Sequence, residues 1–188
     1  MTAPRLGKSL QEGLADLVQE LDLARQMERP SIILAECASR LIRARVEDAL
    51  AASLKRSGQA YVSVQFDPAN PDPKRALLQD RRAGDAVFSI SGLGQGGGLN
   101  GRDSYRALNL HREAWVENRI RAIFWLTGEE AADLARNAPD FWAFRHRILI
   151  FDRSRGRKLV SLPSGFLLWE SRAPESSIQE IETSIQYR

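Results

Sequence analysis

Short apolar runs alternate with amphipathic segments along most of this chain. Leucines at helical spacing predict an N-terminal helix, and Ser9 with Glu12 has the spacing of a capping box at its start. The run SIILAE at 31–36 has the uniformly apolar character of a buried parallel strand. A second amphipathic helix is predicted at 39–57, and Gly58 is placed to close it.

The same alternation continues through the middle of the chain. Four further strands are predicted, at 60–66, 86–91, 122–127 and 148–151. The helices predicted between them lie at 73–82, at 104–118 and, with Thr127 as N-cap, at 128–138. Alternation of this kind is typical of an α/β fold, so we predict a mostly parallel five-stranded sheet with helices on both faces.

The chain changes character after the fifth predicted strand. The basic string at 153–158 predicts a linker or hairpin turn, and the apolar string after it predicts one more strand or a packing arm. The last residues predict a short amphipathic helix with a stripe of three isoleucines: Ile178, Ile181 and Ile185. Such a stripe either docks into a groove on a partner protein or packs on its own domain. We therefore predict an α/β domain over 1–152 and a C-terminal arm with a short helix over 153–188.

Composition favours an ordinary cytoplasmic protein. The chain has 188 residues, of which 43% are hydrophobic and 27% charged, and this suits one folded domain. Its single cysteine, Cys37, cannot form an intrachain disulfide, and the N-terminus lacks the apolar region of a secretory signal. No run approaches the roughly 18 apolar residues of a membrane helix. We therefore expect a cytoplasmic protein that does not bind a membrane.

The net charge is small, but arginine supplies most of the positive charge. The net charge is +3, and the chain has 23 arginines against 4 lysines. Arginine suits bidentate contacts to phosphate, although such a bias also follows from genome composition. The candidate contacts to phosphate or nucleic acid are the arginines around the fifth strand: Arg145, Arg147, Arg155 and Arg157. The alternative is an ordinary solvated strand end.

Residues for nucleotide hydrolysis are missing where an α/β fold would need them. A phosphate-binding loop should follow the first strand, but the string ECASRLIRAR there has neither glycine nor lysine. The third strand lacks a terminal acidic residue to hold magnesium. Glu36, at the end of the first strand, is expected to accept a hydrogen bond from Arg40 or to cap the next helix. We predict no catalytic residues, no metal site, since His111 and His146 lack metal-ligand spacing, and no cofactor.

A glycine-rich string after the third strand is the remaining candidate for ligand binding. The string GLGQGGGLNG contains a G-x-G-x-x-G pattern at Gly92, Gly94 and Gly97. The pattern predicts either a ligand loop or a mobile surface loop. Its position after the third strand, several residues before the next helix, favours the surface loop.

One segment resembles a known group of domains. The strings ALNLHREAW, IFWLTGEEAADLARNAPDFWAFR and ILIF resemble the N-terminal domains of bacterial multidomain proteins. The positions that carry the resemblance are Leu108, Asn109, Arg112, Trp125, Leu126, Ala138, Pro139, Asp140, Phe141, Trp142 and Arg145. Those domains look like degenerate relatives of the signal-transducing (STAND) P-loop ATPases, which include NACHT and NB-ARC regulators. They commonly precede tetratricopeptide repeats or caspase-like protease modules.

The resemblance implies a P-loop NTPase-like fold without its phosphate loop, in a signalling or defence protein. Asn109 and Arg112 would share a helix face, and Asp140 would cap its segment or pair with Arg145. We therefore expect a non-enzymatic adaptor or regulatory module that acts in trans on another protein, such as a repeat or caspase-like protein. The alternative is a protein that binds nucleotide or nucleic acid without hydrolysis.

Overall fold

The five predicted strands all form, and they build one sheet. The computed structural model describes residues 8–69, 71, 72, 77 and 85–151. The strands are β1 (Ser31–Glu36), β2 (Ala60–Gln65), β3 (Ala86–Ser91), β4 (Arg121–Leu126) and β5 (Arg147–Ile150). Their order across the sheet is β2–β3–β4–β1–β5, and every neighbouring pair is parallel.

Six helices cover the sheet within the described residues. They are α1 (Lys8–Gln26), α2 (Arg40–Arg56), α3 (Arg102–Leu110), α4 (Arg112–Glu117), α5 (Gly128–Asn137) and α6 (Pro139–Ala143). The predicted N-cap of α5 is confirmed, because Thr127 and Glu130 exchange both hydrogen bonds of a capping box. Gly58 follows α2 with a positive φ of 72°, as a helix-closing glycine should.

Each face of the sheet has its own hydrophobic core. Alternate residues of a strand point to opposite faces, so the apolar runs of β1, β3 and β4 supply both cores at once. One face packs against α1 and α2 through buried residues that include Leu17, Leu21, Val46, Leu50, Leu54, Ile33 and Ile123. The other packs against α3 to α6 through buried residues that include Ile32, Phe88, Leu108, Trp115, Phe124, Leu134 and Phe141. The prediction of a parallel five-stranded α/β fold with helices on both faces is confirmed.

An aromatic cluster fixes α4 and α6 against β4. The ring centroids of Trp115, Phe124 and Phe141 lie 5.3–5.7 Å apart in tilted or edge-to-face arrangements. All three side chains are buried. Such rings contribute through the apolar area they bury and through about 0.5–1.5 kcal/mol per pair beyond that area. The next residue, Trp125, points to the opposite face and packs on Phe151.

Two predicted elements differ in detail from the structure. The helix predicted over 104–118 is two helices, because a tighter i→i+3 hydrogen bond from Ala114 N to His111 O interrupts the regular ladder. Ser9 lies inside α1 and is therefore not its N-cap, so the predicted capping box with Glu12 is wrong. Periodicity locates a helical face well, but it does not resolve a single changed turn or the first residue of a helix.

The glycine-rich loop packs in part against α3, whereas Leu99 near its end is exposed at the surface. It forms two 3₁₀ turns, Leu93–Gln95 and Leu99–Gly101. The buried Ser104 hydroxyl shares its single proton between the carbonyl oxygens of Leu93 and Gly101, which lie 2.7 and 2.8 Å from Oγ. A side chain at Gly96 would overlap Ser104 Cβ. Its glycines therefore permit close backbone packing.

Several predictions fall on other parts of the chain. Most of the helix predicted at 73–82, the 152/153 boundary and the whole C-terminal arm lie outside the described residues. In the described part, no helix combines the length and the apolar character needed to cross a membrane.

Candidate functional site

The strand order creates a crevice at one edge of the sheet. The chain leaves β1 through α2 toward β2, and it leaves the adjacent strand β4 through α5 toward β5, on the opposite side. Because the two helices also cover opposite faces, the carboxyl ends of β1 and β4 part from one another. In open α/β sheets, ligands bind in the crevice at such a switch point.

A cleft of about 590 Å³ occupies this position. Its walls come from the ends of β1 to β4 and from the starts of α2 and α5. The lining residues are Cys37, Ala38, Arg40, Arg43, Gln65, Ser91, Gly92, Gln95, Trp125, Leu126, Thr127 and Glu130. The volume is in the range of small-molecule sites, and most of the lining side chains are polar.

Positive charge collects on one wall of the cleft, at the start of α2. Ser39 is the N-cap, and its hydroxyl accepts from the Ile42 amide at 3.3 Å. The first turn contains no acidic residue. Arg40 and Arg43 both line the cleft there, where the helix dipole already places positive partial charge. Two cations at this end of a helix repel the dipole, and a bound anion would remove that cost.

The first strand ends on the floor of this cleft. Cys37 is 8% exposed, and its thiol donates to the Ser39 carbonyl at 3.3 Å. The Glu36 carboxylate lies beside Gly128 at the start of α5. The expectation that Glu36 caps α2 is therefore wrong, because Ser39 does so with its own hydroxyl.

Glu130 joins the glycine-rich loop to the opposite wall of the cleft. One carboxylate oxygen accepts from the Gly94 amide at 3.0 Å, and the other accepts from the Thr127 amide at 2.9 Å. The Glu130 amide in turn donates to the Thr127 hydroxyl at 3.1 Å. The Glu130 carboxylate therefore accepts hydrogen bonds from backbone amides through both oxygens. It links the loop after β3 to the start of α5, and so holds these two walls of the cleft together.

Replacing Glu130 with alanine should loosen this wall. The variant leaves the Thr127 and Gly94 amides without their acceptor, so we expect the free energy of unfolding to fall by about 1–2 kcal/mol. Glu129→Ala is the matched control, because Glu129 lies in the same first turn and is exposed. Its loss should cost at most about 0.5 kcal/mol through the helix dipole. Urea unfolding of both variants measures the difference, and equal losses would contradict the described role of Glu130.

The three glycines of the candidate ligand loop do not act as one cradle. Gly92 lines the cleft, whereas the amide of Gly94 is bound by Glu130. Gly97 lies beside the side chain of Asp103, at the start of α3. The loop therefore contributes one edge of the cleft through Gly92.

The arginines of the candidate phosphate or nucleic-acid patch are separated or engaged where the structure describes them. The Arg145 guanidinium stacks 4.6 Å above the Trp142 ring and donates to the Trp142 carbonyl, and burial lowers its pKa. Arg147 pairs with Asp16 on α1 at 3.3 Å. Arg155 and Arg157 lie outside the described residues, as do Ile178, Ile181 and Ile185.

Four of the residues that carry the resemblance, Asn109, Arg112, Asp140 and Phe141, contact one another where α3 and α4 meet the start of α6. The Asn109 side-chain carbonyl accepts from the amides of Asp140 and Phe141, and so caps the start of α6. Asp140 lies 3.7 Å from Arg112 and accepts from the Asn109 side chain. The alternative pairing of Asp140 with Arg145 is therefore wrong, because Arg145 faces Trp142 instead.

The principal charged residues of the cleft, Arg40 and Arg43, were not among the predicted site residues. One signal for them was present in the sequence, namely two arginines without an acid at the start of a helix that follows a buried strand. Within the described residues, no group of three or more histidine, cysteine, aspartate or glutamate side chains has the arrangement of a metal site.

Comparison with solved structures shows a distant likeness. The chain is similar to the Aeropyrum pernix ORC2 protein, whose structure was solved as ADPNP–ADP complexes, with 12% identity and a TM-score of 0.46. The match covers 80% of this chain and 49% of that chain, so the chain spans about half the length of that structure. No protein-family model and no curated protein matches the chain.

Proposed function

We propose that this chain is a regulatory module that binds a phosphate-bearing small molecule, such as a nucleotide, without hydrolysing it. The observation that carries the proposal is the start of α2, where Arg40 and Arg43 enter the cleft without an acidic neighbour in the first turn. Arginine guanidinium groups form bidentate hydrogen bonds to phosphate oxygens, and the free amides at a helix N-terminus bind the same oxygens. The position at the switch point of the sheet supports the same conclusion.

We propose binding without hydrolysis because the cleft has few of the groups that nucleotide hydrolysis requires. The turn between β1 and α2 is only Cys37–Ser39, too short to wrap a triphosphate. β3 ends in serine, which supplies no carboxylate for magnesium. Glu130 has both oxygens engaged by backbone amides, so it is poorly placed as a general base.

A thermal-shift titration tests the proposal. We expect ATP and inorganic pyrophosphate, in the presence of EDTA, to raise the melting temperature, and neutral adenosine to leave it unchanged. A ligand present at about 100 times its Kd stabilises the folded state by about 2.7 kcal/mol. ATP recovered from the sample should be intact. The absence of any shift at millimolar phosphate ligand, or release of inorganic phosphate, would overturn the proposal.

A second candidate function is that of an adaptor for another protein in a bacterial signalling or defence system. It is supported by the resemblance and by the stripe that the spacing of Ile178, Ile181 and Ile185 predicts. We expect the double change Ile178→Asp and Ile181→Asp to abolish capture of a stoichiometric partner from the native cytoplasm while the melting temperature stays unchanged. A lowered melting temperature would instead show that the stripe packs on its own domain.

A further inference from the structure

A chain of polar side chains lies between α2 and the sheet, directly behind the cleft. Glu47 on α2 accepts from the Ser89 hydroxyl at 2.7 Å and from the Tyr61 hydroxyl at 3.1 Å, both on the same carboxylate oxygen. The Trp125 indole N–H donates to Ser89 Oγ at 2.9 Å. The other carboxylate oxygen of Glu47 lies 3.4 Å from Arg43 Nε. The chain of contacts thus runs from β2, β3 and β4 to an arginine of the cleft.

This arrangement is costly for a purely structural contact. Ser89 and Trp125 are buried, and the Glu47 side chain is only 20% exposed. Replacing such polar groups with apolar side chains of similar volume often leaves a fold equally stable or more stable. Burial also raises the pKa of the Tyr61 phenol, which therefore stays a hydrogen-bond donor. The network holds the Glu47 carboxylate in one place.

Arg43 stands between this network and the cleft. Its Nε is completely buried and faces Glu47, as an ion pair rather than a well-formed hydrogen bond. The side chain as a whole is 33% exposed and lines the cleft. Because a guanidinium has five N–H groups in a rigid fork, an arginine held at Nε keeps its two terminal nitrogens for a ligand.

We infer that Glu47 is a positioning residue that orients the Arg43 guanidinium for a phosphate group bound in the cleft. This inference rests on the proposed function, and it assigns that site a residue that does not itself line the cleft. Fixing a flexible side chain before binding removes part of the ordering cost that binding would otherwise meet. The carboxylate therefore favours phosphate binding despite its negative charge, since it acts through Arg43.

The test is calorimetric titration of pyrophosphate into the full chain and its variants in EDTA. Glu47→Gln keeps an oxygen for Ser89 and Tyr61 but presents an amide to Arg43 Nε, so we expect affinity to fall about fivefold to tenfold. Tyr61→Phe is the matched control, because it removes a donor from the same carboxylate and leaves the pair with Arg43. Its affinity should stay within about twofold of the wild type while its stability falls.

A double-mutant cycle separates positioning from general loosening of the fold. If Glu47 acts through Arg43, Glu47→Gln should have no further effect on affinity in an Arg43→Ala background. Arg43→Lys gives an independent measure, because lysine keeps the charge but has no Nε for Glu47 to hold, and affinity should again fall.

The outcomes separate this inference from the proposed function. Wild-type protein that binds no pyrophosphate would overturn both. Wild-type binding with unchanged affinity in Glu47→Gln or Arg43→Lys would overturn only the positioning role. Equal losses of affinity in Tyr61→Phe and Glu47→Gln would also overturn it, because the network would then act through stability alone.

Discussion

Replacing Gly101 with alanine should strongly destabilise the protein. Gly101 has a φ of +74°, and a methyl group there would overlap the carbonyl oxygen of Leu93 and lie 2.7 Å from Gly94 Cα. Neither neighbour can rotate away, since both are backbone atoms. We expect the free energy of unfolding to fall by at least about 4 kcal/mol, a large share of the roughly 5–15 kcal/mol that stabilises a domain.

Gly58→Ala is the matched control for this prediction. Gly58 has nearly the same φ, +72°, but nothing lies within 4 Å of the position a methyl group would take. It therefore isolates the cost of the left-handed backbone for alanine, about 1 kcal/mol. Circular dichroism during urea unfolding compares the two. Similar losses at both positions would show that the loop over 92–101 is not packed as described.

Replacing Arg40 with alanine should weaken ligand binding and stabilise the ligand-free protein. Arg40 lies in the first turn of α2 and lines the cleft, and within the described residues no carboxylate lies within ion-pair distance of it. Its removal relieves repulsion from the helix dipole, which is worth about 0.3–1 kcal/mol at such a position. A charge-assisted contact to phosphate is worth about 1.5–3 kcal/mol, so affinity should fall at least about tenfold.

The opposite end of the same helix provides the control. Arg56 lies in the last turn of α2, where a cation favours the dipole. Arg56→Ala should therefore cost a few tenths of a kcal/mol in stability and leave affinity unchanged. We expect Arg40→Ala to raise the free energy of unfolding and Arg56→Ala to lower it, with a loss of binding only for Arg40→Ala. This result would show that Arg40 lowers the stability of the ligand-free protein but is needed for binding. A destabilised Arg40→Ala protein with unchanged affinity would contradict this account.

The layout of the fold was readable from the sequence because the strands are buried on both faces. SIILAE and AVFSIS coincide with β1 and β3 residue for residue. Each string is an uninterrupted run in which the only charged residue is the last residue of SIILAE, so the ends of both strands are easy to locate. Thr127 was identifiable as an N-cap because the capping interaction is local. Contacts between residues a few positions apart can be predicted from the local sequence.

The candidate site was harder to predict because it depends on the order of the strands. Arg43 and Trp125 meet at one cleft only because β4 lies between β3 and β1, and no local pattern specifies that order. The same holds for Asn109 and Asp140, whose contact joins α3 to α6 across 31 positions of the chain. The packed state of the glycine-rich loop depends on Ser104, which lies beyond the glycine string itself.

The most direct test of the central claim is to map phosphate binding onto backbone amides by nuclear magnetic resonance. We predict that ATP in EDTA shifts the amide signals of residues 37–43 and 127–130, around the starts of α2 and α5, and leaves those of residues 54–58 at the far end of α2 in place. No shift at millimolar ATP, or shifts confined to positions outside the cleft, would contradict the assignment of this cleft as a phosphate-binding site.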